Sequence, residues 1–251
     1  FCKSLCWFCG CTNVISQDTS CSVRYLEYLR KELDMLAPLL NSKRKMVQLH
    51  FGGGSPTYSE PAEILRLGGW IHELFSFDKS YEASVEVDPR TASEAKIKAF
   101  AEIGVNRVSI GVQDLNPEVQ KAVRRHQPHE LNLRTWECVH SAGIKSVNVD
   151  LIYGLPLQTA SSFEKTLDEI LKLRPNRFAV FNYAHVPWLK KAQNALTPLP
   201  PEVKMDILKM TVEKLTNSGY TYIGMDHFAL ETDELSQIGR ASCRERVYHP
   251  V

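Results

Sequence analysis

Strand-like runs recur along the chain, each followed by a stretch whose apolar residues fall at helical spacing. The runs occupy residues 46–50, 81–87, 105–111, 146–152 and 177–183. Between them lie patterns such as Leu26, Leu29, Leu33, Leu36 and Leu40, or Phe163, Leu167 and Ile170, which mark one face of an amphipathic helix. Strands alternating with helices, about 30 residues to a unit, predict an α/β fold. Its sheet is expected to be parallel, with right-handed crossovers, either closed into a barrel or left open. Catalytic and binding residues are then expected at the C-terminal ends of the strands.

Pro198, Pro200 and Pro201 open a further helix whose expected apolar stripe is Met205, Leu208, Val212 and Leu215. A last short strand is expected over Tyr220–Gly224. From Gln237 onward, QIGRASCRERVYHPV shows no periodic apolar pattern. It reads as a non-native tail, a frameshift or an adapter, behind a single domain over residues 1–236. The chain starts at Phe1, inside a cysteine motif, and so reads as a fragment.

At 251 residues, 43% of them hydrophobic, the chain is long enough for one sizeable core. A formal net charge of +1 argues against a broad phosphate-tracking surface, so no nucleic-acid partner is expected. No apolar run approaches the roughly 20 residues of a membrane helix, and the chain is expected to be a soluble monomer without a membrane span. Four of the seven cysteines fall within the first 11 residues. A disulfide framework would spread them; crowding points to thiolates around a metal in a reducing, cytoplasmic compartment.

The opening FCKSLCWFCGC sets Cys2, Cys6 and Cys9 in the pattern C-x-x-x-C-x-x-C. Three thiolates on a 4Fe-4S cluster leave one iron open to chelate the amino and carboxylate groups of S-adenosylmethionine. The deoxyadenosyl radical that follows has to be kept from water, and Trp7 and Phe8 supply part of an apolar wall. A structural zinc knuckle on Cys2, Cys6, Cys9 and Cys11 is the alternative, although zinc sites usually join two separated ligand pairs. Cys21, Cys138 and Cys243 have no metal-like spacing.

After the run 46–50 come Gly52, Gly53 and Gly54, whose bare backbone can approach a ligand closely. Ser84, Glu86 and Asp88 share one face of the next strand; Glu86 suits a cofactor amino group, or else pairs with Arg90. GVQD places Gln113 at a rim, suited to ribose hydroxyls, and KAVRRHQ offers Arg125 as a bidentate carboxylate partner or a solvated helix face. Asp150, inside the apolar NVDLIYGLP, is costly to bury unless bonded. FNYAHVP adds Tyr183 and His185, and GMDHFA adds Asp226 and His227.

Taken in order, FCKSLCWFCGC, LHFGGGSPTY, EVDPR, GVQD, RRHQ, NVDLIYGLP, FNYAH and GMDHFA resemble the oxygen-independent coproporphyrinogen III oxidases of the radical S-adenosylmethionine superfamily. The resemblance implies a partial (β/α)6 TIM-like barrel, here without the family's first strand and C-terminal helical domain. It implies Cys2, Cys6 and Cys9 as cluster ligands and Cys11 as a non-ligating catalytic cysteine. Phe8, Gly53, Gly54, Ser55, Glu86, Gln113, Arg125, Asp150 and Ala184 resemble residues lining two S-adenosylmethionine positions. The implied reaction is oxidative decarboxylation of two propionates of coproporphyrinogen III to the vinyls of protoporphyrinogen IX, in haem biosynthesis, with an electron donor as partner. Arg90 and Arg177 are candidate cations for the substrate carboxylates. A haem chaperone of the same superfamily is the rival reading, and an inactive fragment a third.

Overall fold

The first of the expected strands, β1 (Met46–Phe51), opens a regular alternation in the computed structural model, which describes residues 1–41 and 43–237. The proposed tail beyond Gln237 lies outside the described residues. The chain divides into two units. Phe1–Leu5, Cys11–Gly111 and His129–Ser146 form the first; Cys6–Gly10, Val112–Pro128 and the chain from Val147 onward form the second.

In the first unit, α1 (Ser20–Leu36) precedes β1, and α2 (Pro61–Leu74), β2 (Phe77–Val87), α3 (Glu94–Glu102) and β3 (Arg107–Gln113) follow. The last two residues of β3 already belong to the second unit. β1 pairs with β2, and β2 with β3, all parallel. Alternation decides the layering: Ala83, Val85, Val87, Val108 and Ile110 are buried, as are Ile97 and Phe100 of α3, while Glu82, Ser84 and Glu86 take the other face of β2. α2 starts at Pro61 with a capping box between Glu60 and Glu63, two orphan donors satisfied at once. Gly68 lets α2 sit close, because a Cβ there would stand 2.2 Å from Cγ2 of Ile103. α5 (His129–Ser141) completes the unit and buries Val139.

The second unit holds α4 (Pro117–Ala122), β4 (Ser146–Tyr153) from its second residue, α6 (Ala160–Leu173), β5 (Arg177–Asn182), α7 (Pro201–Asn217), β6 (Tyr220–Gly224) and β7 (His227–Leu230). The expected stripe of α6 holds: Phe163, Leu167 and Ile170 have no exposed surface, each contributing about 1.5–3 kcal/mol by burial. The stripe expected on α7 holds in part: Leu215 is buried and Leu208 and Val212 are half-buried. Ile207, Thr211 and Leu215 are the buried residues, whereas Met205 is 50% exposed. Thr211 fits the interior because its hydroxyl donates to the carbonyl of Ile207 one turn back, 2.7 Å away.

A fully parallel sheet is also corrected. β4 and β5 are parallel, but β7 runs antiparallel to both β5 and β6. β6 and β7 form a hairpin through Met225 and Asp226, both with positive φ (49° and 66°). Two left-handed residues give the connection whose twist matches a two-residue hairpin.

Candidate functional site

Cys2 is anchored through its backbone. Its N–H donates to the Val14 carbonyl and its own carbonyl accepts from Ser16, both at 3.0 Å. Gly54, in the loop after β1, lies against it: a Cβ there would stand 2.8 Å from the Phe1 carbonyl oxygen and 3.1 Å from Sγ of Cys2. Gly53 has φ +110°, a conformation that L side chains rarely adopt. Ser55 is buried, and its hydroxyl meets that of Thr57 at 3.0 Å, which in turn meets Thr91 at 2.7 Å. This loop is thus held by a hydroxyl relay from the loop that follows β2.

Glu86 does not pair with Arg90. Its carboxylate faces Nε2 of His50 at 3.4 Å, and Nδ1 of that ring lies 2.8 Å from the Ser84 hydroxyl. Gly52 makes room for the ring, since a Cβ would come within 2.6 Å of Nε2. Arg90 turns to Asp88, at 2.6 Å, and to the hydroxyl of Ser4 at 3.2 Å. Its charge is therefore already matched by a neighbouring carboxylate. Cys11 is exposed.

In the second unit, Cys6 and Arg125 are both only 6% exposed, and the Arg125 guanidinium donates to Sγ of Cys6 at 3.4 Å. The Cys6–Cys9 turn is closed by the Cys9 N–H on the Cys6 carbonyl, and Trp7 N–H donates to Val123. The Phe8 carbonyl accepts from Gln193 at 3.0 Å. Trp7 and Phe8 pack against Val119, Val123, Leu155, Tyr183 and Leu196. Arg124 stacks over Trp7 at 4.4 Å.

Gln113 ends β3 with φ +69°, strained for a residue with a side chain. Asp150, on the half-buried face of β4, accepts from Asn148 at 2.6 Å, which answers the cost of placing it in an apolar strand. Ala184 is exposed just beyond β5, between Tyr183 and His185, whose hydroxyl and Nδ1 meet at 2.9 Å. Asp226 and His227 form part of the hairpin turn: the Asp226 carbonyl accepts from Val180, and His227 Nδ1 lies 2.6 Å from the Met225 carbonyl. Arg177 stands at the start of β5, the end opposite the expected site, and pairs with Asp233 at 2.7 Å. That placement corrects its reading as a substrate cation.

Sequence reasoning missed Asp114. It is 2% exposed, and burial raises its pKa above the ordinary carboxylate range, against hydrogen bonds from Asn116, Gln158 and Thr166. The signal was present, an Asp directly after a strand end with Gln158 and Thr166 downstream, but nothing local says that they meet.

Among the described residues no three His, Cys, Asp or Glu side chains gather in a geometry that could hold a metal ion, and the described cysteines form no disulfide. The donor set nonetheless fits iron and sulfide: soft thiolates on one short loop, one against a bare glycine and one against a buried guanidinium. No helix among the described residues is long and apolar enough to cross a membrane.

The sequence profile of the Radical SAM superfamily matches residues 1–170, and the chain belongs to that superfamily. A 4Fe-4S cluster and S-adenosylmethionine are the cofactors of this class, as the cysteine spacing led us to expect. More particularly, the chain is 44% identical to the oxygen-independent coproporphyrinogen III oxidases of Helicobacter pylori strain J99, over 94% of its length and 52% of the relative's, and of Escherichia coli K12, over 99% and 54%. The solved coproporphyrinogen III oxidase from E. coli, described as a radical SAM enzyme, superposes with a TM-score of 0.92 at 43% identity, covering 96% of this chain and 56% of that one. That likeness shows the partial radical SAM barrel. Streptococcus suis SuiB, at 14% identity and a TM-score of 0.57, shares the fold alone. The chain spans about half the length of the curated relatives it matches.

Proposed function

We propose that this chain carries the cofactor-binding core of an oxygen-independent coproporphyrinogen III oxidase. The observation that carries this reading is the fit of the cysteine loop to its surroundings, Cys2 against Gly54 and Cys6 against Arg125, in a chain 43% identical to an oxidase of the same fold. Cys2, Cys6 and Cys9 would hold the cluster. Bound there, the cluster and S-adenosylmethionine supply reductive cleavage to a 5′-deoxyadenosyl radical.

The chain's own residues bind, orient and exclude water. Glu86, with His50 beside it, suits the cofactor's amino group; Gly53, Gly54 and Ser55 offer backbone and hydroxyl; Gln113 and Asp150 suit ribose hydroxyls. Arg125 suits the carboxylate, and Phe8 and Ala184 complete the lining, with room proposed for two S-adenosylmethionine molecules. Trp7 and Phe8, packed on an apolar cluster, would help to exclude water from the chemistry that the cofactors supply. Each propionate loses one hydrogen atom, one carbon dioxide and one electron to become a vinyl, twice per coproporphyrinogen III. Cys11, exposed beside the ligands, is proposed as a catalytic thiol that holds no iron. A cytoplasmic monomer served by a separate electron donor completes the proposal.

Anaerobic reconstitution with iron and sulfide tests it. The expected result is a 4Fe-4S spectrum, release of 5′-deoxyadenosine on reduction, and carbon dioxide from coproporphyrinogen III; Cys11→Ser should retain the spectrum and lose the carbon dioxide. Preferential zinc uptake, or transfer of haem without decarboxylation, would overturn it.

A further inference from the structure

Around the end of β3 and α4 the second unit encloses a set of buried amides and one buried carboxylate. Gln120 is 5% exposed and fully committed. Its Nε2 donates to the carbonyls of Asp114 and Gln127, both at 2.8 Å, and its Oε1 accepts from the Gln127 N–H at 2.9 Å. Its own carbonyl accepts from the Arg125 N–H at 2.8 Å. One side chain and its peptide thereby join the residue after Gln113 to the loop on either side of Arg125. Asp114 anchors the other end: it accepts from Asn116 N–H at 2.6 Å, from Thr166 at 3.2 Å and from Gln158.

Both residues held in this way are ones the chain would not place by default. Gln113 has φ +69°, and Arg124, next to Arg125, has φ +53°. Left-handed conformations at residues with side chains are unfavourable and persist only where surroundings over-determine them. The buried amide frame provides that constraint, and its product is the seating of a buried guanidinium on Cys6.

We propose that Gln120, braced by Asp114, is a positioning residue that sets Arg125 against Cys6 and Gln113 at the rim, and so governs both S-adenosylmethionine affinity and the reduction potential of the cluster. The inference rests on the cofactor assignment above. Supporting groups one shell behind a metal site typically contribute about 10–100-fold in affinity or activity, so an effect of that size is expected here without loss of iron. A guanidinium near the cluster favours its reduced, more negative state, so displacing it should move the midpoint potential negative.

The test is a double-mutant cycle on the reconstituted protein, using Gln120→Met, Arg125→Met and the pair, with S-adenosylmethionine affinity and cluster potential as readouts. Thr211→Val, a buried polar deletion in α7, serves as a control for lowered stability alone. Gln120→Met is expected to weaken S-adenosylmethionine by about 10–100-fold and shift the potential negative, with iron content retained. Its shift of the potential should largely vanish once Arg125 is gone, and Thr211→Val should move neither readout. An equal shift of the potential by Gln120→Met with and without Arg125, or a drop in thermal stability with both readouts unmoved, would overturn the proposal while sparing the cofactor assignment. Arg125→Met leaving both readouts unchanged would remove the assignment of Arg125 and the proposal with it. Should Gln120→Met not fold, Gln120→Glu keeps the acceptor for Gln127, loses both donations and is read in the same cycle.

Discussion

The two units shape their candidate residues in different ways. In the first, the loop after β1 owes its shape to missing side chains: Gly52 admits the His50 ring and Gly54 admits Cys2, while His50 and Glu86 remain about half exposed. In the second, the shape comes from buried hydrogen bonds, with Asp114, Gln120, Gln127 and Gln158 all 5% exposed or less. A cradle made of vacancies is sensitive to added atoms, whereas a frame made of donors and acceptors is sensitive to lost ones. Each kind of substitution should therefore act strongly in one unit and weakly in the other.

The largest effect is expected from one added methyl. Gly54→Ala cannot avoid the Phe1 carbonyl without moving the loop that carries Cys2, so most of the iron should be lost on reconstitution, measured as iron per chain. In the amide frame the deletion Gln158→Leu strips one donor from Asp114 and the acceptor of the Leu155 N–H, and also removes a bond to the Ile152 carbonyl. Buried groups left unsatisfied cost about 1–3 kcal/mol each, so urea denaturation should show a loss of about 2–4 kcal/mol.

A pH series sharpens the same contrast. Burial raises the pKa of Asp114 in the folded chain, so the folded state binds a proton before the unfolded one does. Stability relative to Asp114→Asn should therefore rise as pH falls through the raised folded value and level off below the unfolded value of about 3.9. A difference that falls on acidification would mean that the hydrogen bonds outweigh desolvation. The smallest effect belongs to the first unit: His50→Ala removes a half-exposed ring and should change thermal stability by about 0.5 kcal/mol or less, while weakening S-adenosylmethionine through Glu86.

Much of this was legible in the sequence because period and composition are local properties. The strands β1 to β6 fall where alternation and β-branched residues place them, within a few residues at their ends, and the cysteine spacing announces its own chemistry. β7 was not legible. A two-residue hairpin usually advertises itself by Asn-Gly or Asp-Gly, and here Met225 and Asp226 adopt the left-handed conformation without either signature. The stripe on α7 was placed only in part, with Leu215 inside and Met205 outside, because Thr211, polar by composition, is satisfied internally by its own helix. At the rim, the rival partner offered for Glu86 was the wrong one: the near neighbour Arg90 is taken by Asp88, and the Glu86 carboxylate meets the ring of His50, which lies opposite Ser84 on the adjoining strand. Asp114 escaped notice for a related reason, since its side-chain partners Gln158 and Thr166 come from 44 and 52 residues away.

The reversal at Met225 and Asp226 also decides where disturbance can enter. Because β7 runs against β5, the chain returns to the start of β5, and Asp233 and Glu234 close on Arg177 there. Fraying of the polypeptide after Leu230 would thus loosen a latch at the far end of the strand, leaving the reactive end insulated by the full length of β5.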